Sequence, residues 1–420
     1  MKNIVVLGAG TAGTMAANKL VKQKRMKDWK VTVIDKDNRH HYQPGFLFIP
    51  FGMVPAKRVT KSRKKFLPKG IDFIQEDIVQ IDRDEQVVVL ESGERVPYDQ
   101  LIVATGTVPR PDQVPGMSDG KLWYDKVFDF YTYEGSVALK PALESMKRGR
   151  LVVNICEMPI KCPVAPLEFA LLAQDFMRKK GLGFAVDVVF VTPLDGAFTK
   201  PVASEVLGNL LAERGIEVVT DFQIESVDND AQEIVSYDGR RVPFDLLVTI
   251  PPNRGVKVAQ DSGLSDDAGF IEVDKHTLRS VHDPNIWSAG DATNCPTSKA
   301  GSVAHFEMDS LIPNIVSAVH GEPLTHSFDG HANCFIESGR GEALLLDFNY
   351  DQEPLPGVFK IYGIPALKLL GTSYANHAAK MGFELVYWDM LLPGRPLPFP
   401  SDLSMDGKKI PENYQPSQGH

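Results

Sequence analysis

Two sets of residues in this chain have the types and spacing to do chemistry. The first is Gly8-Ala9-Gly10-Thr11-Ala12-Gly13, a G-x-G-x-x-G run between the apolar strand Asn3–Leu7 and a stretch of helical periodicity over residues 11–23. Asp35 ends a second strand, Lys30–Ile34, 22 residues past the last glycine. In such a run the first glycine permits a tight turn, the second lets backbone approach a pyrophosphate, and the third lets helix and strand pack closely. The helix N-terminus offers amide donors to phosphate, and the acid accepts from a ribose hydroxyl. Dinucleotide binding is the expectation. The second set is four cysteines, Cys156, Cys162, Cys295 and Cys334. They are too few for a disulfide scaffold and show no zinc-binding spacing, so each is either a buried apolar residue or a redox group.

The elements around these residues follow from the pattern. Arg150–Ile155 reads as a strand, residues 165–179 as a helix, Val186–Val191 as a strand and residues 203–214 as a helix, a second βαβ-like region. Its turn should carry another glycine triplet if it held a nucleotide. It reads instead Cys156-Glu157-Met158-Pro159-Ile160-Lys161-Cys162-Pro163-Val164-Ala165-Pro166, with no glycine and three prolines. A pyrophosphate cannot lie against that backbone as it does against glycines, so the nicotinamide site is expected to be lost. Further on, Cys334 stands in His331–Ser338, residues 342–348 read as a strand, and Ile364–Leu370 and Ala378–Leu392 are apolar. Pro393, Pro396, Pro398 and Pro400 end the last stretch, and the polar tail 401–420 is expected to be loosely held.

Composition bounds the alternatives. A chain of 420 residues is long enough for two or three domains, and 43% hydrophobic with 24% charged residues is ordinary for a folded protein. The net charge of −9 makes it a poor general binder of nucleic acid. No apolar run is long enough to span a bilayer. The first strand starts almost at once, so no secretory signal is expected, and an intracellular setting makes standing disulfides rare outside catalysis. Residues 57–65 hold six positive charges in nine, either a solvated face or an attraction for an anionic surface or a small anion. His40 and His41 have no acidic or thiol cluster near them in sequence, and no metal is expected.

Two further segments narrow the nucleotide. Tyr98–Gly106 is a strand running into Ala104-Thr105-Gly106, and Asn285–Ala292 is a strand running into Gly290-Asp291. Their order resembles that of flavoproteins with two dinucleotide domains, in which the Asp accepts from a sugar-chain hydroxyl; FAD is the expected cofactor. More closely, the chain resembles the sulfide:quinone oxidoreductases of the flavin disulfide reductase superfamily. The carriers are Tyr42-Gln43-Pro44-Gly45-Phe46, Lys161-Cys162-Pro163-Val164-Ala165-Pro166, Gly290-Asp291-Ala292-Thr293-Asn294 with Lys299 following, the position of Cys334, and Tyr387–Leu392. Many bacterial members carry a third cysteine that residues 107–155 lack, so the two-cysteine variety is the match.

That resemblance implies an α/β fold with two Rossmann-like dinucleotide-binding domains plus a C-terminal membrane-docking segment. Residues 1–110 with 265–330 would bind FAD, 111–264 would form the second domain with its NAD site degenerate, and 331–420 the C-terminal region. It implies a redox disulfide between Cys162 and Cys334, the persulfide falling on Cys334, with Lys161 and Lys299 favouring a thiolate and Glu168 handling a proton. FAD contacts would come from Gly8, Gly10, Thr11, Ala12, Gly13, Asp35, Gln43, Pro44, Val79, Ala104, Thr105, Gly106, Gly290, Asp291 and Lys299. Phe335, Ile336, Tyr387 and Trp388 would line a quinone slot. The implied partners are sulfide, a quinone, the lipid bilayer surface of an inner or cytoplasmic membrane, and a second copy in a homo-oligomer. Rival expectations are the flavoprotein subunit of a flavocytochrome c sulfide dehydrogenase, a type II NADH:quinone oxidoreductase, and a flavin-bound sensor without turnover.

Overall fold

The computed structural model describes residues 2–411. Ile4-Val5-Val6-Leu7 is a continuous apolar run, the pattern of a strand covered on both faces, and all four side chains are fully buried. Each such side chain contributes roughly 1.5–3 kcal/mol by leaving water. This strand, Lys2–Leu7, is the centre of a five-stranded parallel sheet ordered 286–288, 100–103, 2–7, 29–35, 72–75. The strand contributed from residues 286–288 brings a distant part of the chain beside the first glycine turn.

A second five-stranded parallel sheet repeats this plan. Its order is 127–128, 246–250, 149–155, 186–191, 217–219, with Gly149–Ile155 in the same central place as Lys2–Leu7. The helices Ala165–Lys179 and Pro201–Glu213 connect its strands, close to the periodicity read from the sequence. Each parallel sheet carries a small three-stranded antiparallel sheet, over residues 78–97 and 224–243. A short ribbon pairing Val108–Pro109 with Asn253–Arg254 ties the two halves together.

The C-terminal part is a four-stranded sheet ordered 332–339, 342–348, 364–369, 357–361, followed by the helix Tyr374–Val386. Ser373 caps that helix by accepting from the Asn376 amide. It runs into a π-helical turn, Tyr387–Leu391, a form often found at functional positions. The helix Ala165–Lys179 packs against Ala332–Gly339, so the segment bearing Cys162 and the strand bearing Cys334 meet. The tail is not loose throughout. Lys408 is buried on the carboxylate of Asp347, which also bonds His331 Nε2 at 2.8 Å, and these contacts fasten residues near 408 to the C-terminal sheet. The remainder of the tail, 412–420, lies outside the described residues. Among the described residues no helix is long and apolar enough to cross a membrane.

Candidate active site

The glycine turn has the shape its sequence predicts. A Cβ on Gly13 would stand 1.9 Å from the carbonyl oxygen of Gly8, so only glycine lets the helix Thr11–Leu20 press against the strand. Gly10, by contrast, has open space where a Cβ would be, and it faces a cavity of about 590 Å³. Asp35 accepts from the Ala9 amide at 2.7 Å and pairs with Arg63 at 2.7 Å. Burial raises the Asp35 carboxyl, and Arg63 pulls it back.

The cavity is long and has two chemically distinct ends. One end is lined by Gly8, Gly10, Thr11, Ala12, Asp35, Arg63, Ile78, Ala104, Thr105, Gly106 and Val258. Amide donors, a ribose-accepting acid and small residues at this end fit the adenosine and pyrophosphate of FAD. The other end is lined by Gln43, Pro44, Phe46, Leu47, Tyr131, Lys161, Cys162, Glu168, Gly290, Asp291, Lys299, Lys380 and Phe383, with Tyr387 where the two ends meet, beside Thr11. Its apolar walls with a few polar groups fit a ring system. Gly290 donates its amide to Glu307 at 2.6 Å, which fixes the turn that presents Asp291.

Cys162 is held in an uncommon backbone conformation, with φ of +47°. Its amide donates to the Lys299 carbonyl at 2.8 Å, and its own carbonyl accepts from Tyr131 Oη at 2.9 Å and the Ala165 amide at 2.9 Å. Those three bonds over-determine a position that a cysteine alone would avoid, a form of strain found at functional sites. The proline-rich turn thus delivers the thiol into the cavity. Cys334 is buried just behind it. The two are free thiols in this structure, not the disulfide expected from sequence. They lie near enough that charge on Cys334 raises the Cys162 thiol.

Electrostatics corrects one further expectation. Burial pushes the Cys162 thiol well up, the Glu168 charge raises it further, and the cation that offsets this is Lys380, with Lys161 and Lys299 playing no leading part. The Cys334 thiol is pushed up to about 11 by burial, with its hydrogen bond to Ser298 pulling the other way. Lys161 is lowered by burial, against the pull of Asp291. Lys299 donates instead to the Thr293 carbonyl. Glu168 is buried, is bonded to Lys380 and accepts from the Glu337 amide at 2.7 Å; burial raises its carboxyl.

Several expected residues fall outside the cavity. Val79 is 51% exposed; on this strand the side chain reaching the cavity is its neighbour Ile78. Of the four slot residues only Tyr387 lines the cavity. Ile336 points into the core on the face it shares with Cys334, and Phe335, on the opposite face, packs with Leu345, Leu367 and Leu369. Trp388 stacks on Phe66 at 4.9 Å beneath the Lys61 ammonium. Phe46, Leu47 and Phe383 form the apolar wall in their place.

The basic run is neither simply solvated nor free. Arg58 pairs with Glu384 at 3.0 Å, Lys61 covers Trp388 and Arg63 pairs with Asp35, so this segment fastens the C-terminal helix beside the glycine turn. Tyr387 Oη completes that joint, 2.7 Å from Thr11 Oγ1 and 2.6 Å from His40 Nε2. Burial lowers His40 to about 3, so its imidazole is neutral. Lys380, Phe383, Tyr131 and Arg63 escaped the sequence reading. Lys380 carried a signal, the one cation in the stretch 378–388, whose only other charge is Glu384.

A family model described as pyridine nucleotide-disulphide oxidoreductase matches residues 2–154 and 163–319. The mitochondrial sulfide:quinone oxidoreductase of Dictyostelium discoideum is 28% identical over 397 residues, covering 93% of this chain and 86% of that protein. Its counterpart from Mus musculus is 26% identical over the same length. The X-ray structure of the sulfide:quinone oxidoreductase from Aquifex aeolicus superposes with a TM-score of 0.79 at 22% identity, covering 94% of this chain and 92% of that one.

Proposed function

The chain belongs to the pyridine nucleotide-disulphide oxidoreductase family, and from that premise we propose that it is an FAD-dependent enzyme that oxidises sulfide to sulfane sulfur and passes two electrons to a quinone. The observation that carries this reading is the second turn. Where a nicotinamide-binding relative needs glycine, prolines bring Cys162 into the cavity with Cys334 behind it. Curated relatives named for this activity, alike over nearly the whole chain, support it.

Bound FAD would supply a two-electron acceptor between the thiols and the quinone. The domain division expected above, with residues 1–110 and 265–330 holding FAD, belongs to the same proposal. When the cysteine pair is oxidised, hydrosulfide attacks one sulfur and the S–S bond breaks, leaving a persulfide on one cysteine and a thiolate on the other. Cys334, farther from the cavity, carries the persulfide, and Cys162, lining the cavity, faces the flavin. Lys380 steadies the thiolate, since its charge lowers both thiols. Across the cycle HS⁻, H⁺ and quinone become sulfane sulfur and quinol, with two electrons lost by sulfur and gained by the quinone.

The quinone enters between Phe46, Leu47, Phe383 and Tyr387 from a membrane surface. Tyr362 and Ile364 at a hairpin tip, with Tyr374 and Leu385 on the outer face of the C-terminal helix, are exposed apolar side chains suited to lie among lipid headgroups. Removing the whole C-terminal segment would also remove Lys380 and Tyr387 from the cavity, so the cleaner variant is Ile364→Glu with Leu385→Glu. It should lower co-sedimentation with liposomes while leaving FAD bound; unchanged sedimentation refutes this docking face.

The reading itself is tested by anaerobic mixing. Sulfide should bleach the flavin within the time of a turnover, and NADH should not. Bleaching by NADH alone would assign the chain to the type II NADH:quinone oxidoreductases instead.

A further inference from the structure

Turning a quinone into a quinol takes two electrons and two protons. Hydrosulfide brings one hydrogen, so one proton per turnover must come from water into a cavity walled by apolar side chains. The structure contains a line of ionisable groups leading inward. His377 is 27% exposed, and its Nδ1 lies 2.9 Å from the carboxylate of Glu337. Glu337 is buried on the strand Ala332–Gly339, and its charge interacts with Lys380. Lys380 stands three residues after His377, on the same face of the helix, and lines the cavity. Its ammonium bonds Glu168 and the carbonyl of Phe335 at 2.9 Å. The Glu337 amide closes the group by donating to Glu168 at 2.7 Å.

The arrangement costs more than a structural clamp would need. Two carboxyls are buried around one lysine, Glu168 bonded to its ammonium and Glu337 acting on it by charge, and burial raises both toward the protonated form. Glu168 and Lys380 touch the cavity, whereas Glu337 and His377 do not. A pair would suffice to hold the thiols, and the second pair extends it to the surface.

We propose that His377 is the proton entry of this enzyme, and that His377, Glu337, Lys380 and Glu168 pass one proton per turnover from solvent to the quinone end of the cavity. Histidine suits the outer position because its two ring nitrogens let it take a proton on one side and release one on the other. The inference rests on the reading of the site as a quinone reductase.

The test uses the FAD-loaded enzyme in stopped flow, with the two half-reactions followed separately. In His377→Gln, flavin reduction by sulfide should keep its rate, whereas reoxidation by a soluble quinone should slow roughly 10²-fold, the lower end of what proton handling contributes. Proton uptake, read with an indicator dye, should slow in step. Added imidazole should restore both in His377→Ala, since a small base can fill the space and carry the proton. Wild-type reoxidation in both variants overturns the relay, as does equal slowing of both half-reactions or a loss that imidazole leaves unchanged. Failure of sulfide to reduce the flavin at all overturns the functional reading first and the relay with it.

Discussion

The two parallel sheets share the order of four of their five strands, yet the turns after their central strands behave oppositely. After Lys2–Leu7 the chain makes a glycine turn with open space at Gly10, and a helix N-terminus faces the cavity. After Gly149–Ile155 it runs through Cys156, Pro159, Cys162 and Pro163 before the next helix. Cys156 stays inside, its Sγ 3.3 Å from Thr249 Oγ1, and burial pushes its thiol up to about 12. Cys162, six residues on, is turned into the cavity. A duplicated scaffold therefore does not imply a duplicated ligand. In the proposed function, the second turn no longer binds phosphate, and its place beside the first cavity positions a reactive side chain.

Four substitutions break or sharpen this contrast. The largest effect belongs to Cys162→Ser, which should lower sulfide-dependent quinone reduction by at least ~10³-fold, as losses of a nucleophile do, while FAD stays bound. Near-normal turnover would remove the chemistry from the second turn. Next is Gly10→Ala, whose Cβ meets no neighbour in the protein but intrudes on the phosphate approach. Losing one or two amide contacts should weaken FAD by about 10²-fold, measured by reconstitution titration, with the melting temperature of the apoprotein little changed. Tight FAD binding in that variant would show that the first turn does not carry the pyrophosphate.

Glu307→Gln probes the support beneath the Gly290 turn. Burial raises the Glu307 carboxyl from 4.5 to about 8. The folded state therefore holds a proton that the unfolded chain releases, so the stability is present below about 4.5 and is lost as pH rises through about 8. The wild type should lose melting temperature across that window, and Glu307→Gln should flatten the decline. The smallest effect is expected for Cys156→Ser. A hydroxyl keeps the neighbours Thr249 and Asn154 supplied with a partner, so the cost should be about 1 kcal/mol, with turnover within a few-fold of wild type. A collapse in activity would make Cys156 part of the chemistry and undo the distinction between the two cysteines.

The sequence by itself determined the first turn, because Gly8, Gly10, Gly13 and Asp35 act through local geometry: a turn, a helix start and a strand end within 35 residues. It also determined that the second turn had lost this geometry, since absent glycines and added prolines constrain backbone wherever they stand. Helix and strand positions such as Ala165–Lys179 and Glu342–Phe348 followed from hydrophobic periodicity alone. Only the tertiary structure decided which side chains share the cavity. Cys162 and Cys334 are 172 residues apart, and Glu168 and Lys380 are 212 apart. The rotation of the strand Ala332–Gly339 sent Phe335 and Ile336 away from the slot, and the helix Tyr374–Val386 brought in Lys380 and Phe383. The basic run at 57–65 read as surface charge because its partners, Glu384 and Trp388, lie over 300 residues later. Local backbone rules can be read from neighbours in the chain; charge pairing and cavity lining depend on which distant surfaces meet, and packing alone sets that.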